Sequence, residues 1–199
     1  MLKFLFIVIA TLNIYAFDDF SVVQEEPLQK KAPRQKKVLG KYTLIMGDSY
    51  KLNARILAAK KYDWDELSSI IPVDLGVGWG RMSKTNVMNQ FAWSQSGRFL
   101  RWSISMSKLK KARVSEKYMV SHVSNMHLIP AHPKIKQILQ SLNKYDMIYI
   151  KGYLTDVYFQ DKVVRSSIRR DDEGAGACEV VYVTGIKVKR SAYKPFNAL

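Results

Sequence analysis

The sequence predicts a mainly β, α+β domain with one or two helices, built as an OB-like small barrel or an open antiparallel sheet. Three observations carry that expectation. Apolar and polar residues alternate with period two, as in Tyr50, Leu52, Ala54, Ile56 and Ala58 against Lys51, Asn53 and Arg55. One stretch has a clear helical period, with Ile135, Ile138, Leu139 and Leu142 following Pro133. That helix precedes a long strand with Gly152 at its centre, and a barrel of the oligonucleotide/oligosaccharide-binding type carries its helix between the third and fourth strands.

Residues 1–16 read as an export signal: Lys3 supplies the charged start, residues 4–12 are apolar, and Ala16 is a small residue at the cut. The apolar run is about half of the ~20 residues that span a bilayer, so a cleaved leader is expected rather than an anchor. Residues 17–38 are rich in Glu, Gln, Lys and Pro and read as a flexible tether. A single domain is expected over residues 39–190, with a tail at 191–199.

Within that domain, residues 42–46 are β-rich and residues 47–49 (Gly-Asp-Ser) read as a turn before the alternating strand. Residues 63–66 can cap a short helix presenting Leu67, Ile70 and Ile71, with Pro72 stopping it. The glycine-rich residues 75–80 lack the spacing and the Lys-Ser/Thr of a phosphate loop, which excludes nucleotide binding there. Their glycines are expected to let backbone pack against Trp79. A hairpin follows at residues 91–105 around Gln95, Ser96 and Gly97, with Leu100, Trp102 and Ile104 on one face and with Trp93 and Trp102 assigned to the core. Residues 108–117 read as a basic connection, and residues 121–133, holding all three histidines, as extended or looped. Strands are expected at residues 147–159, 163–169 and 178–189.

The net charge is +15, and the acids and bases of the tether nearly cancel, so the positive charge belongs to the folded body. Such a body attracts polyanions, including acidic glycans, lipopolysaccharide phosphates and anionic lipid heads. An evenly solvated lysine surface has the same composition. Cys178 is the only cysteine, so no intramolecular disulfide forms.

Several segments resemble an uncharacterised family of bacterial envelope and membrane-associated proteins. They are residues 72–83 (PVDLGVGWGRMS), 94–98 (SQSGR) with Trp102, 124–131 (SNMHLIPA), 152–154 (GYL) and 165–183 (RSSIRRDDEGAGACEVVYV). The resemblance spans residues 50–185 and departs at Glu173, where the family pattern has threonine. It implies an envelope location and a shared site, and it supplies no reaction.

Residues 165–188 concentrate the polar and titratable groups. Cys178 with His127 has the composition of a thiolate activated by an imidazole. Strand alternation sends Cys178 and Glu179 to opposite faces, so His127 can meet one of them and not both. The competing reading is a cysteine buried as a small hydrophobe. His122, His127 and His132 recur every five residues, a spacing that neither helix nor strand puts on one face, so no metal site is expected. Asp171, Asp172 and Glu173 lack the alternating ligand spacing of a calcium loop. Arg169 and Arg170 beside a glycine loop suit an anion clamp, and Arg98, Asn125, His127, Arg165, Ser167, Arg169, Asp171 and Glu179 make the expected ligand-binding face.

The expected function is therefore an exported periplasmic or envelope-associated module binding an anionic glycan, lipid head group or other polyanion, with no cofactor. Export argues against nucleic acid as the partner. The alternatives are a hydrolase using Cys178 or Glu179 with His127, and a structural subunit of an envelope assembly.

Overall fold

The computed structural model describes residues 26–168 and 178–193. The expected export signal at residues 1–16 and much of the acidic glycine loop lie outside them. Five strands close a ring: β3 (Tyr42–Lys61), β4 (Val73–Gly78), β7 (Val123–Pro130), β10 (Glu179–Lys189) and β8 (Met147–Phe159), with β8 pairing back onto β3 and the short β9 (Lys162–Val164) pairing with β8. All pairings in the ring are antiparallel except β7 with β10. Helix α4 (Pro133–Gln140) stands between the third and fourth ring strands, as the periodicity of Ile135 and Leu139 predicts. The domain is therefore mainly β and barrel-like, with one helix closing one end.

Inside the ring, alternate residues meet in a single apolar cluster. Leu52, Ile56, Leu75, Val77, Met126, Leu128, Ile150 and Val181 are almost wholly buried, and Ile135, Leu139 and Leu142 plug the end. Gly152 lies where β8 passes between its neighbours, and a Cβ there would stand 2.1 Å from the Tyr182 carbonyl oxygen. The ladder also shifts register between Val183 and Gly185 opposite it, a bulge on β10.

Several expectations are corrected. The tether ends sooner than its composition implies: β1 (Leu28–Lys30) and β2 (Gln35–Leu39) both pair with β3. Lysine-rich strands survive at a sheet edge because the backbone supplies the bonding and the charges stay in water. Residues 47–49 form a bulge within one continuous strand and no turn. Asp48 anchors that bulge by accepting hydrogen bonds from Gln29 at 2.8 Å and Lys31 at 3.1 Å.

The described residues hold four α-helices where one or two were expected. Between β4 and β7 the chain makes a 3-10 turn at Arg81–Ser83, α1 (Thr85–Met88), the hairpin β5 (Ala92–Ser96) and β6 (Phe99–Ser103), α2 (Met106–Ala112) and α3 (Glu116–Ser121). The stretch expected as a basic connection is thus largely helical: Ser105 and Ser115 cap α2 and α3 through their hydroxyls, and the few apolar residues form a separate small core with Met82, Phe91 and Met119. Trp102 is 38% exposed and meets Phe91 edge-on, while Trp93 is half-buried and donates to the Met88 carbonyl. The glycines of residues 75–80 make room for Leu100, Met82 and the Tyr118–His122 pair, and not for the Trp79 indole.

Candidate functional site

In β4 and β7, Val73, Leu75, Met126 and Leu128 face the barrel core, so alternation turns Asp74, Asn125 and His127 outward. Asp74 is directly opposite His127, and Gly76 is opposite Asn125. Strand β10 runs parallel to β7, with Val180 opposite His127, which brings Cys178 onto the same outer face. Three strands thus deliver an acid, an imidazole and a thiol to one patch. The hairpin β5–β6 then folds over it. Leu100 fills the space that a side chain at position 76 would need, and the Gln95 and Asn125 amides meet at 2.8 Å.

Arg98 sits in the hairpin turn with φ 67°, next to Gly97 at φ 57°. Two consecutive left-handed residues make the two-residue turn that suits the twist of a hairpin, but a non-glycine residue there carries strain. Its contacts hold it in place. The guanidinium forks onto Asp65 at 2.6 and 2.7 Å, reaches Asp74 Oδ1 at 3.1 Å and donates to the Ile71 carbonyl at 3.2 Å. It also lies 4.1 Å above the Tyr62 ring, whose hydroxyl accepts from the Arg98 amide. The Arg98 fork holds the Asp65 carboxyl below the usual carboxylate range, and burial with the nearby Asp74 charge raises the Tyr62 phenol.

Asp74 is fully buried, and its Oδ1 serves two cations at once, Arg98 and His127. His127 Nδ1 lies 2.9 Å from that oxygen. The His127 ring also contacts Cys178. Burial favours the neutral ring, but hydrogen bonding to Asp74 and Cys178 outweighs it and lifts the imidazole to about 9. His127 therefore carries a proton at neutral pH. With Arg98 it faces Asp65 and Asp74, so two cations meet two carboxylates here, of which Asp74 is fully buried.

Asn125 bridges the cluster, its Nδ2 donating to the Arg98 carbonyl at 2.8 Å and to Cys178 Sγ at 3.1 Å. Cys178 is half-buried and is not part of the apolar core. Its carbonyl accepts from the Ser167 amide at 2.9 Å, so the two described ends of the glycine loop meet here. Glu179 faces the other way and accepts a short hydrogen bond from Ser124. His127 thus meets Cys178 and Glu179 does not join them, as period two requires.

The remaining candidates scatter. Arg165 is exposed beside Asp156 at 3.8 Å, and Arg169 and Asp171 lie outside the described residues. His122 stacks on Tyr118 and approaches Glu26, while His132 precedes α4. Among the described residues no group of three or more His, Cys, Asp or Glu is placed to hold a metal ion.

Asp74, Asp65, Gln95 and Tyr62 complete the cluster without any signal from spacing. The one available hint was Asp74 itself, an acid inside the strand-like PVDLGVG segment. No family model, curated protein or solved structure matches the chain.

Proposed function

We propose that this chain is an exported envelope protein whose outer barrel face performs acyl transfer through Cys178. One observation carries the reading: the His127 ring lies 2.9 Å from a buried carboxylate and interacts with the half-buried Cys178 thiol on the same outer face. That is the order of orienting acid, imidazole and nucleophile in covalent hydrolysis. The export half of the reading rests on the charged start and apolar run of residues 1–16.

In this mechanism the Cys178 thiolate attacks an ester, thioester or amide carbonyl and forms a sulfur–carbon bond. The bond to the leaving group breaks, and the His127 imidazolium supplies the proton that the departing group takes up. Neutral His127 then removes a proton from water, which attacks the acyl–enzyme, releases the acid and restores the thiolate and imidazolium. Asp74 keeps the ring oriented, and the Arg98 guanidinium holds the Asp74 carboxyl in place. The Asn125 amide, already bonded to sulfur, is placed to donate to the oxyanion that develops beside it.

The test is alkylation of the native protein by iodoacetamide at neutral pH, followed by mass spectrometry. The reading expects modification of Cys178 and stoichiometric release of p-nitrophenol from p-nitrophenyl acetate, both slowed at least tenfold in His127→Gln. A thiol that reacts only after denaturation would overturn it, because a nucleophile has to be reachable.

A further inference from the structure

A second concentration of charge lies away from the Cys178 face. A cavity of about 550 Å3 opens between the 3-10 turn at Arg81–Ser83, α1 and the end of α2. Arg81, Lys84, Lys110, Lys111 and Arg113 line it, and no acid does. Among the described residues none of these five has a carboxylate within ion-pair reach, whereas Lys31, Lys41, Lys162, Arg98 and Arg190 each do.

The cluster is also assembled. Lys110 and Lys111 occupy the last turn of α2, where the helix dipole favours cations, and this alone accounts for two of them. Arg113 adds a third by leaving the helix at φ 52°, a left-handed conformation that turns the chain at the cavity edge. Arg81 and Lys84 come from a segment about thirty residues away in sequence. Arg81 is held by a hydrogen bond from its Nη2 to the Ala112 carbonyl at 3.4 Å and by its amide donating to the Tyr118 hydroxyl at 2.9 Å. Five like charges around one concavity repel one another, and the field focused there attracts a multivalent anion.

We infer that this cavity is a binding site for clustered phosphate groups, distinct from the thiol face. Guanidinium forks suit phosphate oxygens, and the lysines add mobile charge around them. Such phosphates occur on a lipid head group or on a free phosphorylated molecule, and the two sources differ in whether a membrane surface is required.

The experiment titrates the full chain with sodium tripolyphosphate by calorimetry at physiological ionic strength. It also measures co-sedimentation with phosphatidylcholine vesicles carrying phosphatidylglycerol and with plain phosphatidylcholine vesicles. Saturable tripolyphosphate binding, weakened at least tenfold in Lys111→Gln/Arg113→Gln and unchanged in Lys60→Gln/Lys151→Gln, supports the site. Binding of tripolyphosphate without vesicle binding assigns it to free phosphorylated molecules. Additional loss of anionic-vesicle binding in the same double variant assigns it to head groups. Equal weakening in both double variants, or no binding to either probe, overturns it, since the cations would then act only as diffuse surface charge. Retained alkylation of Cys178 in Lys111→Gln/Arg113→Gln keeps this outcome separate from that of the thiol reading.

Discussion

Arg98 holds two carboxylates, a carbonyl and an aromatic face from a turn position that glycine would occupy with less strain. Two substitutions separate its side chain from its backbone. Arg98→Gly keeps the left-handed turn and removes the guanidinium, while Arg98→Leu removes the guanidinium and keeps the strain. Both strand Asp74 in the interior with His127 as its one cation, and loss of one partner from a buried pair costs about 3–5 kcal/mol. Chemical denaturation is expected to show a loss of that order for Arg98→Leu and a smaller one for Arg98→Gly. Equal stability of both variants and the parent would show that Arg98 is not what holds Asp74.

At the scale of elements, the hairpin β5–β6 and strand β8 are each placed by a glycine on a neighbouring surface or within the strand. Gly76 leaves the hole that Leu100 fills, and Gly152 lets β8 pass against the Tyr182 carbonyl. The obstruction at Gly152 is backbone, which cannot rotate away as a side chain can. Gly152→Ala is therefore expected to cost more than the roughly 1–3 kcal/mol of ordinary overpacking, read as a lowered denaturation midpoint. A midpoint within error of the parent would mean that the ring opens at this corner without penalty. The site depends on the same geometry, because β8 closes the ring that fixes β10 beside β7.

For the whole molecule, the protonated cluster couples fold stability to pH. The folded chain binds the His127 proton more tightly than the unfolded chain, with about 9 against an ordinary value of 6.5. The stabilisation is complete below pH 6.5, declines between there and about 9, and is gone above it. Thermal midpoints measured across that window should fall in the parent protein and fall markedly less in His127→Gln. A parent midpoint that rises or stays level over the window would contradict the proton-holding role of Asp74. No helix of the described residues is long and apolar enough to cross a membrane.

Local covalent geometry was enough for part of this reading. Period-two alternation located the strand at residues 50–58, and β-rich runs located those at 147–159 and 178–189, while β4 and β7 read only as a glycine-rich stretch and an extended or looped one. The 3.6-residue period of Ile135, Leu139 and Leu142 located the helix, and chain parity separated Cys178 from Glu179. Composition misjudged β2 and the helices of the insertion, because lysine-rich segments order themselves when a sheet edge or a small apolar core is available. Asp74 beside His127, Arg98 beside both aspartates and five cations around one cavity were decided only in three dimensions. Their proximity depends on strand register and on where the hairpin and α2 dock, which are sums of long-range packing that no local spacing encodes.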